Sequence, residues 1–181
     1  MAVIRETYYI YLRNLKVWVT QPMAVIGPIL TAAFVFLFFG APLEGVTQLQ
    51  NFPAEDYTAF LTAMVLVMTL VFSGGDIAFA TLTDMLSGYF DKLLLAPINR
   101  LSILLGALLV AGTRALAQAT VIVLMALGLG VDFQTGVVGA LSLLVAASVF
   151  GVAWSCLSII IALKTKNVQA TQASFTLFFP L

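Results

Sequence analysis

Asp76, Arg114 and Gln118 are the polar side chains that could do chemistry in a chain otherwise built of long apolar runs. A guanidinium inside such a run costs about 2.5–3.5 kcal/mol on insertion scales, so Arg114 must be either used or neutralised. Gln118 follows one helical turn later on the same face, with Thr113 and Thr120 nearby. Two readings follow. The group could line a polar substrate path or gate, or Arg114 could pair across helices with Asp76, which follows Gly74 and Gly75 where a helix loosens. Other chemistry is closed off. The sequence has no histidine and a single cysteine, Cys156, so Ser/His and Cys/His dyads, the commonest metal ligand and an intrachain disulfide are all excluded. No G-x-x-x-x-G-K-[ST] loop is present to cradle a nucleotide. No paired carboxylates face each other within a run, as a proton relay requires. The chain is not expected to be an enzyme by itself, nor to hold a cofactor or metal.

The elements that must position these residues are membrane helices. Of 181 residues 62% are hydrophobic and 9% charged, with mean hydropathy +1.10, whereas soluble domains carry about 25% charged residues. So few charges cannot clothe a water-facing surface, and the predicted fold is an all-α polytopic membrane bundle. Net charge is zero, and no basic tract suggests nucleic acid. Apolar runs long enough to span occur at 22–40, 57–77, 101–129 and 137–163. The basic residues alternate: Arg5, Arg13 and Lys16 precede the first run, Lys92 and Arg100 lie between the second and third, and Lys164 and Lys166 follow the fourth. The positive-inside rule then puts the N-terminus in the cytoplasm.

Residues 1–20 read as an interfacial helix. Ile4, Tyr8, Tyr11, Leu12, Leu15 and Trp18 form an apolar stripe, and Arg5, Arg13, Asn14 and Lys16 face the headgroups. Gln21-Pro22 ends this helix and opens the first span. The polar lead is no secretory signal. Residues 41–56 read as a short external loop. Residues 81–95, half apolar and half charged, are predicted to form a cytoplasmic helix ended by Ala96-Pro97. Ala147, Gly151 and Ser155 make a ridge of small residues on the fourth span against which another helix can pack. A run at 170–181 is too short to cross and reads as an incomplete fifth span, as in a fragment.

The stretch Asp84-Met85-Leu86-Ser87-Gly88-Tyr89-Phe90-Asp91-Lys92 through Pro97 and Arg100 resembles the permeases of type-2 ABC exporters, the daunorubicin-resistance and polysaccharide-export group. That family has an Asp-Arg-Glu-x-Gly element, a Leu-rich helix and a Pro-x-x-Arg lead into the third span. Here Asp84, Gly88, Leu93, Leu94, Pro97 and Arg100 match, while Met85 and Ser87 depart from the family's Arg and Glu. The helix ending at Thr20-Gln21-Pro22 is similar to the family's interfacial "elbow". Arg114 with Gln118 matches a recurring polar pair, and Phe178-Phe179-Pro180-Leu181 looks like the start of a fifth span.

The resemblance covers the whole chain and implies a permease subunit of a prokaryotic plasma membrane. Such a subunit pairs with a second copy or a homologue, lies among membrane lipid and is driven by two separate ATP-binding subunits. The segment carrying Asp84, Gly88, Tyr89, Phe90, Lys92, Pro97 and Arg100 would dock on the ATPase and transmit its closure. Aromatic residues such as Tyr89 and Phe90 are of the kind that anchor interfaces. The rival readings are an ion-coupled carrier or channel, which needs intramembrane carboxylates, and a membrane scaffold that transports nothing. Phe34, Phe36, Phe38, Phe39, Met64 and Met68 suit a substrate-lined cavity, and equally packing or a lipid-facing surface.

Overall fold

The computed structural model describes residues 2–40, 57–89, 92, 95, 98–131, 136–169 and 171. Helix α1 (Ala2–Val19) is followed by α2 (Pro22–Val35), which continues as a π-helical turn over Phe36–Gly40. Then come α3 (Tyr57–Leu86), α4 (Arg100–Gly128) and α5 (Gly136–Thr165). Among the described residues, four helices are long and apolar enough to cross a membrane: α2 with its π turn, α3, α4 and α5. The fold is all-α, as the composition requires.

The break between α1 and α2 follows from local sterics. Gln21, held before a proline, sits at φ −101° and ψ 92°, the extended conformation such residues prefer. Trp18 bridges the break by donating its indole N–H to the Ala24 carbonyl at 3.3 Å. The corner therefore has a fixed angle instead of a free hinge.

The α3, α4 and α5 helices form the packed centre. Small residues let their backbones meet. A Cβ on Gly151 would lie 2.5 Å from Ala115 Cβ, and one on Gly74 would lie 2.5 Å from Trp154 Cδ1. Ala147, Gly151 and Ser155 are all buried, and this face of α5 fills the groove between α3 and α4. Trp154 also donates its N–H to the Val71 carbonyl at 3.0 Å. The main apolar core joins Leu61, Val65, Leu66 and Leu70 of α3 to Ala115, Ala119 and Ile122 of α4 and Phe36 below α2. A smaller cluster of Ile77, Ala111 and Ile159 closes the end where α1 lies.

One boundary differs from the sequence reading. No separate helix begins near 81: α3 runs unbroken from Tyr57 through Gly74 and Gly75 to Leu86. At Gly74 a side chain would collide with Trp154, so the residue that suggests a helix end is a packing site instead. The helix stops instead at Ser87-Gly88, with Gly88 at φ +70°, the left-handed cap that glycine adopts without strain. Tyr89, Lys92 and Leu95 are helical beyond it. Phe90, Asp91, Pro97, the predicted loop 41–56 and nearly all of the run 170–181 lie outside the described residues.

Candidate functional site: a charged cleft beneath the first span

The sequence fixes where the polar groups lie along each helix. Between Tyr57 and Asp76, α3 climbs about 28 Å, close to the ~30 Å of a hydrocarbon core. The last turns of α3 run about 15 Å beyond Asp76. Arg114 of α4 meets Asp76 at this level, with Nη2 3.2 Å from Oδ2. From Arg114 to Gly128, α4 spans about 21 Å toward the opposite face. Trp18, at the end of α1, lies beside the pair, its ring 5.4 Å from the Arg114 guanidinium carbon. An indole is the residue type that concentrates at membrane–water boundaries. Arg114 lies midway along α4, and its pairing with Asp76 offsets part of the cost of placing a guanidinium in an apolar run.

The pair is lopsided. The Arg114 side chain is 6% exposed and that of Asp76 52%. Arg114 Nε and both amide atoms of Gln118 are buried with no hydrogen-bond partner among the described residues. Gln118 continues the polar stripe one turn inward, buried against the core.

A second pair lies further out. Arg13 holds Asp84 through two parallel bonds, Nη1 to Oδ2 at 2.8 Å and Nη2 to Oδ1 at 3.0 Å. Its guanidinium carbon also stacks 3.9 Å from the Tyr89 ring centre. The hydrogen bond to Asp84, chiefly, and that neighbour's charge raise the Arg13 pKa above its ordinary value against the opposing effect of partial burial. The sequence reading of Arg13 as a basic residue of the interfacial helix did not supply this partner. Helical spacing gives the direction of a side chain on α1, but its partner comes from a helix 71 residues away. Arg5 and Lys16 are exposed, and Trp18 is half-buried.

The base of α1 is fastened as well. Glu6 Oε2 accepts from the Asn99 backbone N–H at 3.1 Å and from the Ser102 hydroxyl at 3.1 Å. Asn99 in turn caps α4, its side chain accepting from the Leu101 N–H at 3.0 Å. Gly106 gives Ile10 its seat: a Cβ there would lie 2.6 Å from Ile10 Cγ2. Sequence reasoning missed Glu6, Asn99, Ser102 and Gly106. A lone carboxylate on α1 and an Asn before the third apolar run were the available signals.

Between the two ion pairs opens a cleft of about 560 Å³, bounded by α1, α2, α3 and α4. Its charged lining consists of Arg13, Asp84, Asp76 and Arg114, and Met23, Ala24 and Pro28 of α2 form an apolar wall. The structure brings Asp76, Arg114, Arg13, Asp84 and Trp18 together around this cleft. Gly88, Tyr89 and exposed Lys92 lie past the end of α3, and exposed Arg100 opens α4. Ala147, Gly151 and Ser155 stay apart in the α5 seam.

No curated protein and no solved structure matches the chain. The model of one family does, over residues 5–181, and its description is ABC-2 type transporter. That match takes in α1, the elbow corner, the four spans and both ion pairs. The chain belongs to the ABC-2 type transporter family, as a membrane-embedded permease component of an ABC transporter, a family that works with ATP-binding subunits.

Proposed function

We propose that this chain supplies part of the translocation path of an ATP-driven exporter and receives its drive at the turn that ends α3. In this reading the N-terminus and the α1 end of the bundle face the cytosol of a prokaryote. Two ATP-binding subunits serve a pair of permeases, either two copies of this chain or one copy and a homologue. The distribution of Arg5, Arg13, Lys16, Lys92, Arg100, Lys164 and Lys166 supports that sidedness.

The observation that carries the coupling reading is the stiff projection of α3. It continues about 15 Å past Asp76 without a break and ends at Gly88, where Arg13 grips Asp84 from α1. A push on Gly88, Tyr89 and Lys92 is then delivered to two elements at once: along α3 to Asp76, and through Arg13 to α1. Glu6 links α1 onward to the start of α4. Phe90, Pro97 and Arg100 complete the proposed docking segment. Asp84 takes a different role from contact with the ATPase, since its carboxylate is engaged by Arg13.

Co-reconstitution with the ATP-binding subunit tests this. Tyr89→Ala and Lys92→Glu should leave membrane insertion and basal ATP hydrolysis intact and lower export about tenfold or more. Unchanged export in both variants would overturn the proposal. The carrier reading is disfavoured by a specific contact: Asp76, the carboxylate it would need, is held by Arg114.

A further inference from the structure

We propose that the cleft between α1 and α2 is a binding site for one phospholipid whose headgroup carries both a phosphate and a primary ammonium, as in phosphatidylethanolamine. The site lies apart from the docking residues of the coupling turn, and its test below needs no ATP.

Position comes first. With Tyr57 taken at one edge of the hydrocarbon, the Asp76–Arg114 pair, about 28 Å along α3, falls at the opposite headgroup level. The cleft volume, about 560 Å³, falls within the ~300–1,000 Å³ typical of small-molecule sites. Its α2 wall of Met23, Ala24 and Pro28 continues upward into the exposed apolar face of Ile26, Leu30 and Phe34. Acyl chains can lie along that face while the headgroup enters the cleft.

Charge selects the headgroup. The lining carries two arginines and two aspartates, Arg13 and Arg114 with Asp76 and Asp84, so it has no cationic surplus to attract an anionic lipid. It does offer adjacent charges of opposite sign. Arg114 borders the cleft and spends Nη2 on Asp76, while its unpartnered Nε is buried away from the opening. A buried guanidinium with spare donors suits a phosphate, which takes charge-assisted bonds. Asp76 uses Oδ2 for Arg114, and its side chain is 52% exposed at the cleft. Its remaining acceptor capacity suits an ammonium that can donate hydrogen bonds. A quaternary choline has no N–H to give. Among common headgroups, the zwitterion with a primary amine satisfies both residues.

The test uses the purified full-length chain in nanodiscs of equimolar dioleoyl phosphatidylethanolamine, phosphatidylcholine and phosphatidylglycerol, followed by native mass spectrometry of the lipid retained after transfer to detergent. Wild type should retain one phosphatidylethanolamine, about tenfold over either competitor. Asp76→Asn should abolish the preference for phosphatidylethanolamine over phosphatidylcholine. Ala80→Trp fills the cleft without removing a charged group and should lower retention of every lipid, and its thermal unfolding reports that the fold is kept. Equal retention of all lipids, a preference for phosphatidylglycerol, or displacement of the lipid by inorganic phosphate alone would overturn the proposal. So would unchanged retention in both variants. Export by the co-reconstituted Tyr89→Ala chain tests the coupling turn separately, so the two ideas can fail independently.

Discussion

Removing one partner of the Asp76–Arg114 pair should cost more from one side than from the other. The separation is 3.2 Å, the Arg114 side chain is 6% exposed and that of Asp76 is 52% exposed. Coulomb attraction at 3.2 Å is about 5 kcal/mol at an effective dielectric of 20 and about 1.3 kcal/mol in bulk water. With one partner half wet, the net value should fall near that of a charge-assisted hydrogen bond, about 1.5–3 kcal/mol. Asp76→Ala strands a buried guanidinium whose Nε already lacks a partner, and this should cost about 3 kcal/mol or more. Arg114→Met keeps the stem's packing and leaves a carboxylate that water can reach, so it should cost about 1–2 kcal/mol. The double variant should recover much of the loss, since no stranded charge remains. Thermal unfolding of the four proteins in one detergent measures the cycle. If Asp76→Ala is the milder single change, or if the two losses simply add, the argument from unequal burial is refuted.

The remaining predictions concern how the helices are held. Exchanging the outer clasp as Arg13→Asp with Asp84→Arg should restore most of the stability lost in either single variant, with a coupling of about 1 kcal/mol that shrinks in high salt, as a partly exposed pair demands. Unfolding temperatures across a salt series check it. Glu6→Gln weakens the tie from α1 to Asn99 and Ser102; it should cost about 1 kcal/mol and speed amide exchange in α1 while leaving α5 protected. Gly151→Val drives a side chain into Ala115 and should cost about 1–3 kcal/mol by overpacking, whereas Gly27→Ala, with nothing within 4 Å, should be neutral by the same assay.

Fold class was legible because composition leaves no alternative: with 9% charged residues the helices must hide in lipid. The glycines after Leu127 mark the far end of α4 in the sequence as in the structure, whereas the Asn99 cap at its start was missed. The far end of α3 was not legible. Gly74 and Gly75 look like a stop until Trp154, some 80 residues on, is seen to fill the space at Gly74. The candidate site was half legible for a similar reason. Arg114, Gln118 and Asp76 stand out as polar groups in apolar runs. Their depth depends on where α3 begins and how far it continues, which hydropathy alone blurs. Arg13 was assigned to the headgroup side because a helical wheel knows nothing of Asp84. Glu6 and Gly106 gave almost no signal, since their roles exist only once α1 lies across α4.

The chain has two tryptophans, and the bundle has placed them where an optical observer would want them. Trp18 is pinned at the elbow beside Arg114, and Trp154 is wedged between two spans with its N–H on Val71. Replacing either with phenylalanine leaves a single tryptophan, one looking into the cleft and the other into the helix seam, which excitation at the red edge separates from the five tyrosines. Emission colour and quenching by brominated lipid could then follow occupancy and helix motion separately, during turnover, without any dye attached.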